Sequence, residues 1–277
     1  FRGKIRNLFS FFTVYTMKKE SVMSTHSFKK QGESDLPKSF SHTITKENIF
    51  IKNTQFKSFP KEDKCLEYLK TKPDLHLFAE DVNSQMAKRF LAIDYKTIYL
   101  FSSTKTFHLY EYFDNDCNMK LYLDIDIKPH QIPENANRME YFDLIIQKSI
   151  DLIIKHLEKY NIINPQIIVE SSCRENKLSG HIKFVDVVFR NVTEMKFFIM
   201  LIESKLIDDD IIDPSVFKKG GLRMLWNSKM GVGKNLEYYK SINYVFKDDQ
   251  QLFMDCLVRN IPEIYQLVDI QIPKNIK

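Results

Sequence analysis

The feature that most constrains this chain is an alternating apolar and acidic stretch near its middle, Leu121-Tyr122-Leu123-Asp124-Ile125-Asp126-Ile127-Lys128. Successive side chains of a β-strand point to opposite faces, so Asp124 and Asp126 share one face and the leucines and isoleucines share the other. Residues two apart on a strand lie roughly 6.6–6.8 Å apart. That spacing suits carboxylates that bind two cations about 3.5–4 Å apart, as nucleotidyl transfer requires. Taken alone, the pattern also fits an edge strand with solvated acids.

Composition indicates a globular protein with a mild basic bias. The chain has 277 residues, 43% of them hydrophobic, which is enough for one large domain or two modest ones. Its net charge of +5 permits a nucleic-acid partner without strongly favouring one. The four cysteines are far apart and none forms a C-x-x-C pair, which argues against a zinc knuckle or a disulfide framework and predicts a reduced intracellular protein. No apolar run reaches the roughly 18 residues of a membrane span.

The sequence divides into two parts with different composition. Residues 1–45 are predicted to be a basic N-terminal arm and linker, and residues 46–277 a folded core. Residues 1–16 carry basic and hydroxyl side chains, no acids and a short apolar patch. This composition fits three interpretations: an amphipathic targeting segment, a helix that docks on the core, or a basic arm that touches nucleic acid.

Hydrophobic periodicity predicts a mixed α+β core. Helices are predicted at residues 61–69, after Pro60, and at 139–160, where apolar residues form a continuous stripe at helical spacing. Further helices are predicted at residues 193–206 and 250–267. Besides the acidic strand, strands are predicted at residues 75–78, 89–93, 97–101, 107–113, 166–170, 178–189, 222–226 and 239–246.

A second polar pattern lies on the strand predicted at residues 178–189. Ser179, His181 and Lys183 would share one face of it, and a hydroxyl, an imidazole and an ammonium can together bind a triphosphate. Gly180 would let another backbone or a ligand approach the strand. The alternative interpretation is a polar outer face with an ordinary exposed histidine.

A third pattern is the segment Ile211-Ile212-Asp213-Pro214. The proline holds the preceding residue in an extended or turn conformation. Asp213 would then supply a third metal ligand or position an attacking hydroxyl. The alternative is an aspartate that forms a turn before proline.

A fourth pattern follows shortly afterwards, with Arg223 on a short predicted strand and Lys229 in the loop beyond. Arginine offers a planar fork for phosphate oxygens and lysine a compact charge, although a solvated basic turn would look the same. Gly231-Val232-Gly233-Lys234 is not a P-loop, because Ser228 stands where the first glycine should be and Asn235 where serine or threonine should follow the lysine.

The order and spacing of these four patterns resemble the archaeo-eukaryotic primase superfamily, in particular its primase-polymerase branch and the primase domains of large DNA virus primase-helicases. In that family an apolar strand ends in D-x-D or D-x-E, here Asp124-Ile125-Asp126. A later strand carries S-x-H, here Ser179-Gly180-His181. The third motif is an apolar residue and an aspartate, here Asp213, followed by an arginine and a Ser-Lys pair, here Arg223 and Ser228-Lys229.

The resemblance covers roughly residues 57–245 and extends upstream, where residues 76–79 and 98–101 look like the leading strands of the family. It implies an α+β fold with a mixed-sheet, RRM-like catalytic core and flanking helices. It also implies that two Mg²⁺ or Mn²⁺ ions are held by Asp124, Asp126 and Asp213. The residues implied to bind the incoming nucleotide are Lys177, Ser179, His181, Arg223 and Lys229.

The implied function is template-directed nucleotidyl transfer, in which a DNA primase or primase-polymerase makes or extends primers during DNA replication. The implied partners are a single-stranded DNA template, a primer strand, nucleoside triphosphates and a replicative helicase in the same or another chain, with no membrane. The implied location is the nucleus, a viral replication site or a mitochondrion. Two alternatives stay open: a non-catalytic nucleic-acid-binding module on the same fold, and a metal-dependent nuclease that uses the same carboxylates.

Overall fold

The computed structural model describes residues 56–85, 87–104, 107–202 and 204–272. The arm predicted at residues 1–45 lies outside these ranges. The described residues form an α+β fold with two β-sheets and flanking helices, which confirms the predicted α+β class. None of the helices they form is both long enough and apolar enough to cross a membrane.

The first sheet is antiparallel and is built mostly from the N-terminal half of the described chain. Helix α1 (Glu62–Leu69) follows its first strand, and helix α2 (Tyr95–Ser103) follows its third. The strands lie in the order β1 (Phe56–Phe59), β3 (Lys88–Ile93), β2 (His76–Asp81), β4 (Leu109–Phe113) and β8 (Gly220–Arg223).

The second sheet carries the acidic strand. Four antiparallel strands lie in the order β5 (Met119–Ile127), β7 (Leu178–Phe189), β6 (Ile167–Ser171) and β9 (Glu237–Ile242). The two-residue strand β10 (Gln266–Leu267) runs parallel to the far end of β7. On the outer edge of β5, Ile212 forms an isolated antiparallel bridge with Ile125.

Helices cover the apolar face of the second sheet. The long helix α3 begins after Asn137, whose side chain accepts hydrogen bonds from the backbone N–H groups of Met139 and Glu140. Leu121, Leu123, Ile125 and Ile127 of β5 are fully buried in the core that this helix completes, as the alternation predicted. After α2, the helices in chain order are α3 (Arg138–Leu157), α4 (Val192–Met200), α5 (Lys205–Asp208) and α6 (Asp249–Cys256). Helix α6 contributes Leu252 and Phe253 to a different buried cluster.

A second core joins the two sheets. Ile168 of the second sheet packs in the same buried cluster as Phe78 and Ile93 of the first, together with Trp226 and Phe253. Ile168 and Glu170 lie two residues apart on β6 and therefore on the same face. The face of β6 that carries Glu170 therefore also carries Ile168, which packs against the first sheet.

The prediction of a strand at residues 97–101 is wrong, because this segment belongs to helix α2. The isoleucine, tyrosine and phenylalanine residues there favour strands. Asp94 decides the local structure, since its carboxylate accepts hydrogen bonds from the backbone N–H and the hydroxyl of Thr97 and so caps the helix. Ile98 and Phe101, three residues apart, then face the core together.

The helix predicted at residues 250–267 ends at Cys256. Glu111 accepts hydrogen bonds from the backbone N–H groups of Val258 and Arg259, both at 2.7 Å, and this draws the chain out of the helix. Other predicted boundaries also move. Among them, α4 ends at Met200 rather than 206, β8 is Gly220–Arg223 rather than 222–226, and β9 is Glu237–Ile242 rather than 239–246. Strands β1 and β10 were not predicted.

Lys120 is fully buried near this turn, and its ammonium donates a hydrogen bond of 2.9 Å to the carbonyl of Asp255. Burial lowers the pKa of Lys120 from 10.5 to about 8, although Asp255 and Glu111 oppose the shift. The unfolded chain therefore keeps a proton on Lys120 that the folded protein releases near pH 8. The contribution of Lys120 to the free energy of unfolding is therefore lowest below about pH 8. It rises as the pH increases and levels off once the lysine of the unfolded chain, with its pKa of 10.5, has also lost its proton.

Lys120→Met is accordingly expected to change the pH dependence of stability. The free energy of unfolding of the variant minus that of the native chain should fall between pH 7.5 and pH 9.5, because only the native chain gains stability from losing this proton. Urea unfolding of both proteins at the two pH values measures the difference, and groups common to both cancel. A difference that stays constant with pH would contradict a depressed lysine pKa.

Candidate active site

Strand pairing brings the predicted site residues together on one face of the second sheet. In the register of β5 against β7, Asp124 lies opposite His181 and Asp126 lies opposite Ser179. Directly opposite residues of an antiparallel pair share a face, so these four side chains point to the same side. On the other edge of β5, the backbone N–H of Asp213 donates to the carbonyl of Asp124 at 3.0 Å. Two of the aspartates therefore lie on β5, and the third lies beside Asp124 on a segment that borders that strand.

Gly180 makes this arrangement sterically feasible. A Cβ atom at this position would lie 2.3 Å from the carbonyl oxygen of Glu170 and 3.0 Å from Cζ of Phe142. The missing side chain thus lets strand β6 and helix α3 approach β7 between Ser179 and His181. The sequence predicts that Gly180 admits either another backbone or a ligand, and here the neighbour is the backbone of β6.

A buried carboxylate, Glu170, lies next to His181. Its side chain is fully buried and is 3.2 Å from Nδ1 of His181 and 2.9 Å from the ammonium of Lys183. Burial alone would raise the pKa of Glu170, but the charge of Lys183 and the hydrogen bond from His181 outweigh it and lower that pKa. In turn, Glu170 outweighs the effect of burial on Lys183 and raises its pKa.

Sequence reasoning assigned no role to Glu170. A signal was available: it is a single acid at the end of the apolar run Ile167-Ile168-Val169, on a strand predicted to be covered on both faces. A buried acid is rarely tolerated without a partner, and Lys183 and His181 lie on the neighbouring strand.

The two acids of β5, Asp124 and Asp126, are partly exposed, and the surface around them is called here the cleft. Oδ1 of Asp124 is 3.8 Å from Nε2 of His181. Oδ2 of Asp126 accepts a hydrogen bond of 2.7 Å from Lys177, while its Oδ1 is buried and has no hydrogen-bond partner. Asp213 uses both carboxylate oxygens to accept hydrogen bonds from the backbone N–H and hydroxyl of Ser215, at 2.8 and 2.9 Å.

A basic pocket lies beside Asp126 and collects most of the predicted phosphate ligands. Nη2 of the buried Arg223 donates to the hydroxyl of Ser172 at 2.8 Å, and its Nε is buried without a hydrogen-bond partner. Burial lowers the pKa of Arg223. The pKa of Lys229 is also lowered, mainly by burial and to a smaller extent by the positive charge of Arg223. The basic pocket is lined by Ser172, Arg174, Lys177, Ser179, Arg223, Lys229, Val232 and Lys234. Of these, Lys177, Ser179, Arg223 and Lys229 were predicted to bind the nucleotide.

The loop that carries Lys229 is held in place by the buried contacts of the two residues Trp226 and Asn227. Trp226 has φ of +64°, a left-handed conformation that is costly for a bulky residue and persists only where the surroundings enforce it. Its ring stacks on Phe253 at 5.8 Å. The next residue, Asn227, is fully buried and bonds to Ser102 and to the backbone of Leu109. These contacts give the backbone before Lys229 a defined path.

A second pocket is lined by Asp124 and is called here the Tyr122 pocket. Its volume is about 180 Å³. The buried aromatic rings of Phe113 and Tyr122 line it, together with Asp124, Ser215 and the segment 218–222. Asp124 thus faces the Tyr122 pocket, while its neighbour Asp126 contacts the basic pocket through Lys177.

The acids fit divalent cations in their donor chemistry. Mg²⁺ and Mn²⁺ prefer carboxylate oxygens, and the buried, unpartnered Oδ1 of Asp126 is an acceptor that a cation would satisfy. Within residues 56–85, 87–104, 107–202 and 204–272, no three His, Cys, Asp or Glu side chains converge closely enough to form a complete ligand set. Asp124 and Asp126 are therefore the residues that would hold the cations, and Asp213 would first have to release Ser215.

Comparison with protein-family models finds no match, and comparison with curated proteins finds none either. The assignment of this site therefore depends on the residues and geometry described above.

Lys177→Met tests whether the ammonium of Lys177 competes with cations for Asp126. Without nucleotide, the variant is expected to bind Mn²⁺ about two- to fivefold more tightly, the range for a partly exposed ion pair. Electron paramagnetic resonance of free Mn²⁺ measures this affinity. Lys240→Met is the matched control, because Lys240 contacts Asp143 at 2.8 Å with similar exposure and should leave Mn²⁺ binding unchanged. Equal affinities in all three proteins would contradict the competition.

Proposed function

We propose that this chain is the catalytic core of a template-directed nucleotidyltransferase, a DNA primase or primase-polymerase that makes or extends primers on single-stranded DNA. The observation that carries the proposal is the direct contact between a carboxylate pair and a basic pocket, through Lys177 and Asp126 at 2.7 Å. Nucleotidyl transfer needs both features side by side, because cations and positive side chains must meet at one triphosphate.

The topology of the second sheet supports an RRM-like core of the archaeo-eukaryotic primase type. The chain passes from β5 through α3, β6, β7 and α4 to the bridge at Ile212. This β-α-β-β-α-β order is that of ferredoxin-like folds. In space, the Ile212 segment and β5 lie on one side of β7 and β6 lies on the other.

In the proposed complex, the triphosphate of the incoming nucleotide lies in the basic pocket. Arg223 offers its buried guanidinium, whose Nε is free of hydrogen bonds, and Ser179 offers its hydroxyl. Lys177 and Lys229 add charge at the rim, and Nε2 of His181 lies 3.8 Å from Asp124, outside the lining of the basic pocket. These groups neutralise phosphate charge without reading base identity, as a polymerase active site requires.

Asp124 and Asp126 would hold two divalent cations, with Asp213 next to Asp124 as a third ligand. Bound cations supply a lowered pKa for the attacking 3′-hydroxyl and charge neutralisation for the leaving pyrophosphate. The hydroxyl oxygen bonds to the α-phosphorus, the bond from that phosphorus to the β-phosphate bridging oxygen breaks, and the hydroxyl proton passes to solvent. In-line attack requires the strand end to approach opposite the leaving group. Asp124 lines the Tyr122 pocket but not the basic pocket, so the Tyr122 pocket is the proposed place for the strand end.

Two other functions use the same surface. A non-catalytic module would bind single strands in a salt-dependent way without incorporating nucleotides. A metal-dependent nuclease would use the carboxylates to activate water, but the basic pocket favours triphosphate binding over water attack. The proposed partners are the template, the primer strand, nucleoside triphosphates and a replicative helicase in the same or another chain, which would place the protein where DNA is replicated.

The test is incorporation of labelled nucleotides by the native chain on a single-stranded DNA template, with and without a primer, in Mg²⁺ or Mn²⁺. Titration with a non-hydrolysable triphosphate runs in parallel. We expect template-dependent extension and triphosphate binding. Salt-sensitive DNA binding without incorporation in either metal would establish the non-catalytic module instead, and strand cleavage without triphosphate binding would establish a nuclease.

A further inference from the structure

We infer that Glu170 is a positioning residue that holds the imidazole of His181 so that Nε2 faces the cleft at Asp124. The inference rests on the proposed function for its consequence, since His181 would be a phosphate ligand. The orientation itself is a separate property that can be measured without substrate.

The contacts of the two ring nitrogens define the orientation. Nδ1 lies 3.2 Å from a carboxylate oxygen of Glu170, so it carries a hydrogen in either protonation state of the ring. Nε2 then points to the other side, towards Asp124 at 3.8 Å. The side chain of His181 is only 4% exposed, so it has little freedom to turn away.

Glu170 is itself held in place from the other side. Lys183, two residues beyond His181 on β7, keeps its ammonium 2.9 Å from the Glu170 carboxylate. Gly180 lets the backbone of β6 approach β7 at this point, which sets the distance between Glu170 and His181. Lys183 thus bonds to Glu170, and Glu170 bonds to Nδ1 of His181. This buried chain of hydrogen bonds ends at Nε2 of His181, next to Asp124.

A purely structural ion pair between Glu170 and Lys183 is the competing interpretation. The two interpretations differ in what happens when the pair is replaced by apolar residues of similar size, a change that is often neutral or favourable for stability. A structural pair could then be removed without consequence for His181, whereas a positioning residue could not.

The experiment compares the native chain with the double variant Glu170→Met, Lys183→Met, which leaves no buried charge uncompensated. The ¹⁵N NMR signals of the His181 ring, assigned by their loss in His181→Asn, report which nitrogen carries the hydrogen. We expect Nδ1–H in the native chain and loss of that preference in the double variant. Affinity for a non-hydrolysable triphosphate with Mg²⁺ should fall at least about tenfold, in line with a lost charge-assisted contact.

Two further variants sharpen the comparison. Glu170→Gln with Lys183→Met keeps an acceptor oxygen next to Nδ1 and should restore most of the His181 signal and affinity. Glu111→Gln is the control for burial, because Glu111 is also buried but binds backbone N–H groups of Val258 and Arg259 instead. It should leave the His181 signals unchanged.

The outcome is decisive in each case. If the folded Glu170→Met, Lys183→Met protein keeps both the native His181 signals and the native affinity, Glu170 does not position His181. If the native chain binds no triphosphate but the His181 tautomer changes in the double variant, the positioning role stands and the proposed nucleotidyltransferase fails.

Discussion

Replacing Asp124 and Asp126 together by asparagine is expected to lower nucleotide incorporation by about 10³-fold or more, because neutral amides cannot hold the two cations on which the reaction depends. Both carboxylates lie at the cleft rather than in the core, with side chains 27% and 32% exposed, so the fold should survive. Primer extension with labelled nucleotides measures the loss, and circular dichroism checks the fold.

The matched control for this experiment is Asp143→Asn. Asp143 is a carboxylate on α3 that bonds to Tyr239 and Lys240, outside the two pockets. It should leave incorporation nearly unchanged. Undiminished extension by the Asp124, Asp126 double variant would show that these acids are a solvated face, the plain interpretation of the sequence pattern, and would overturn the site assignment.

Replacing Glu170 alone by alanine is expected to destabilise the protein by about 3–5 kcal/mol, the usual cost of removing one partner of a buried ion pair. Lys183 would remain fully buried with its charge uncompensated, and Nδ1 of His181 would lose its acceptor. Urea unfolding measures the free energy, and the double variant with Lys183→Met should recover most of it.

An exposed carboxylate provides the comparison for the stability experiment. Glu67 pairs with Lys64 at 2.9 Å on the surface of α1, so Glu67→Ala should change stability little. If Glu170→Ala unfolds no more easily than Glu67→Ala, the buried network contributes nothing to the fold.

Local patterns were sufficient to predict the framework of the site. Alternation alone places Asp124 and Asp126 opposite a buried apolar face, and the stripe in α3 predicts the helix that covers that face. Ser179 and His181 were expected on one face of a strand, and pairing with β5 brings them directly opposite the two acids. The assigned roles stay predictions, because geometry alone does not measure catalysis or binding.

Interactions between distant segments explain what the sequence could not predict. Helix α6 stops because Glu111, far earlier in the chain, takes the N–H groups that follow it. The segment at residues 97–101 is helical because Asp94 caps it against the strand preference of its side chains. The partnership of Glu170 with His181 depends on strand register, and that of Arg223 with Ser172 depends on docking of the two sheets.

The division of the site between two sheets also has a consequence for how the protein acquires activity. Arg223 belongs to the last strand of the first sheet, whereas Asp126, Lys177 and Ser179 belong to the second sheet or its turn. A folding intermediate with only one sheet formed therefore has no complete basic pocket. If a nucleotide binds there as proposed, it would stabilise only the docked state, so nucleotide binding during refolding would report the moment at which the two sheets come together.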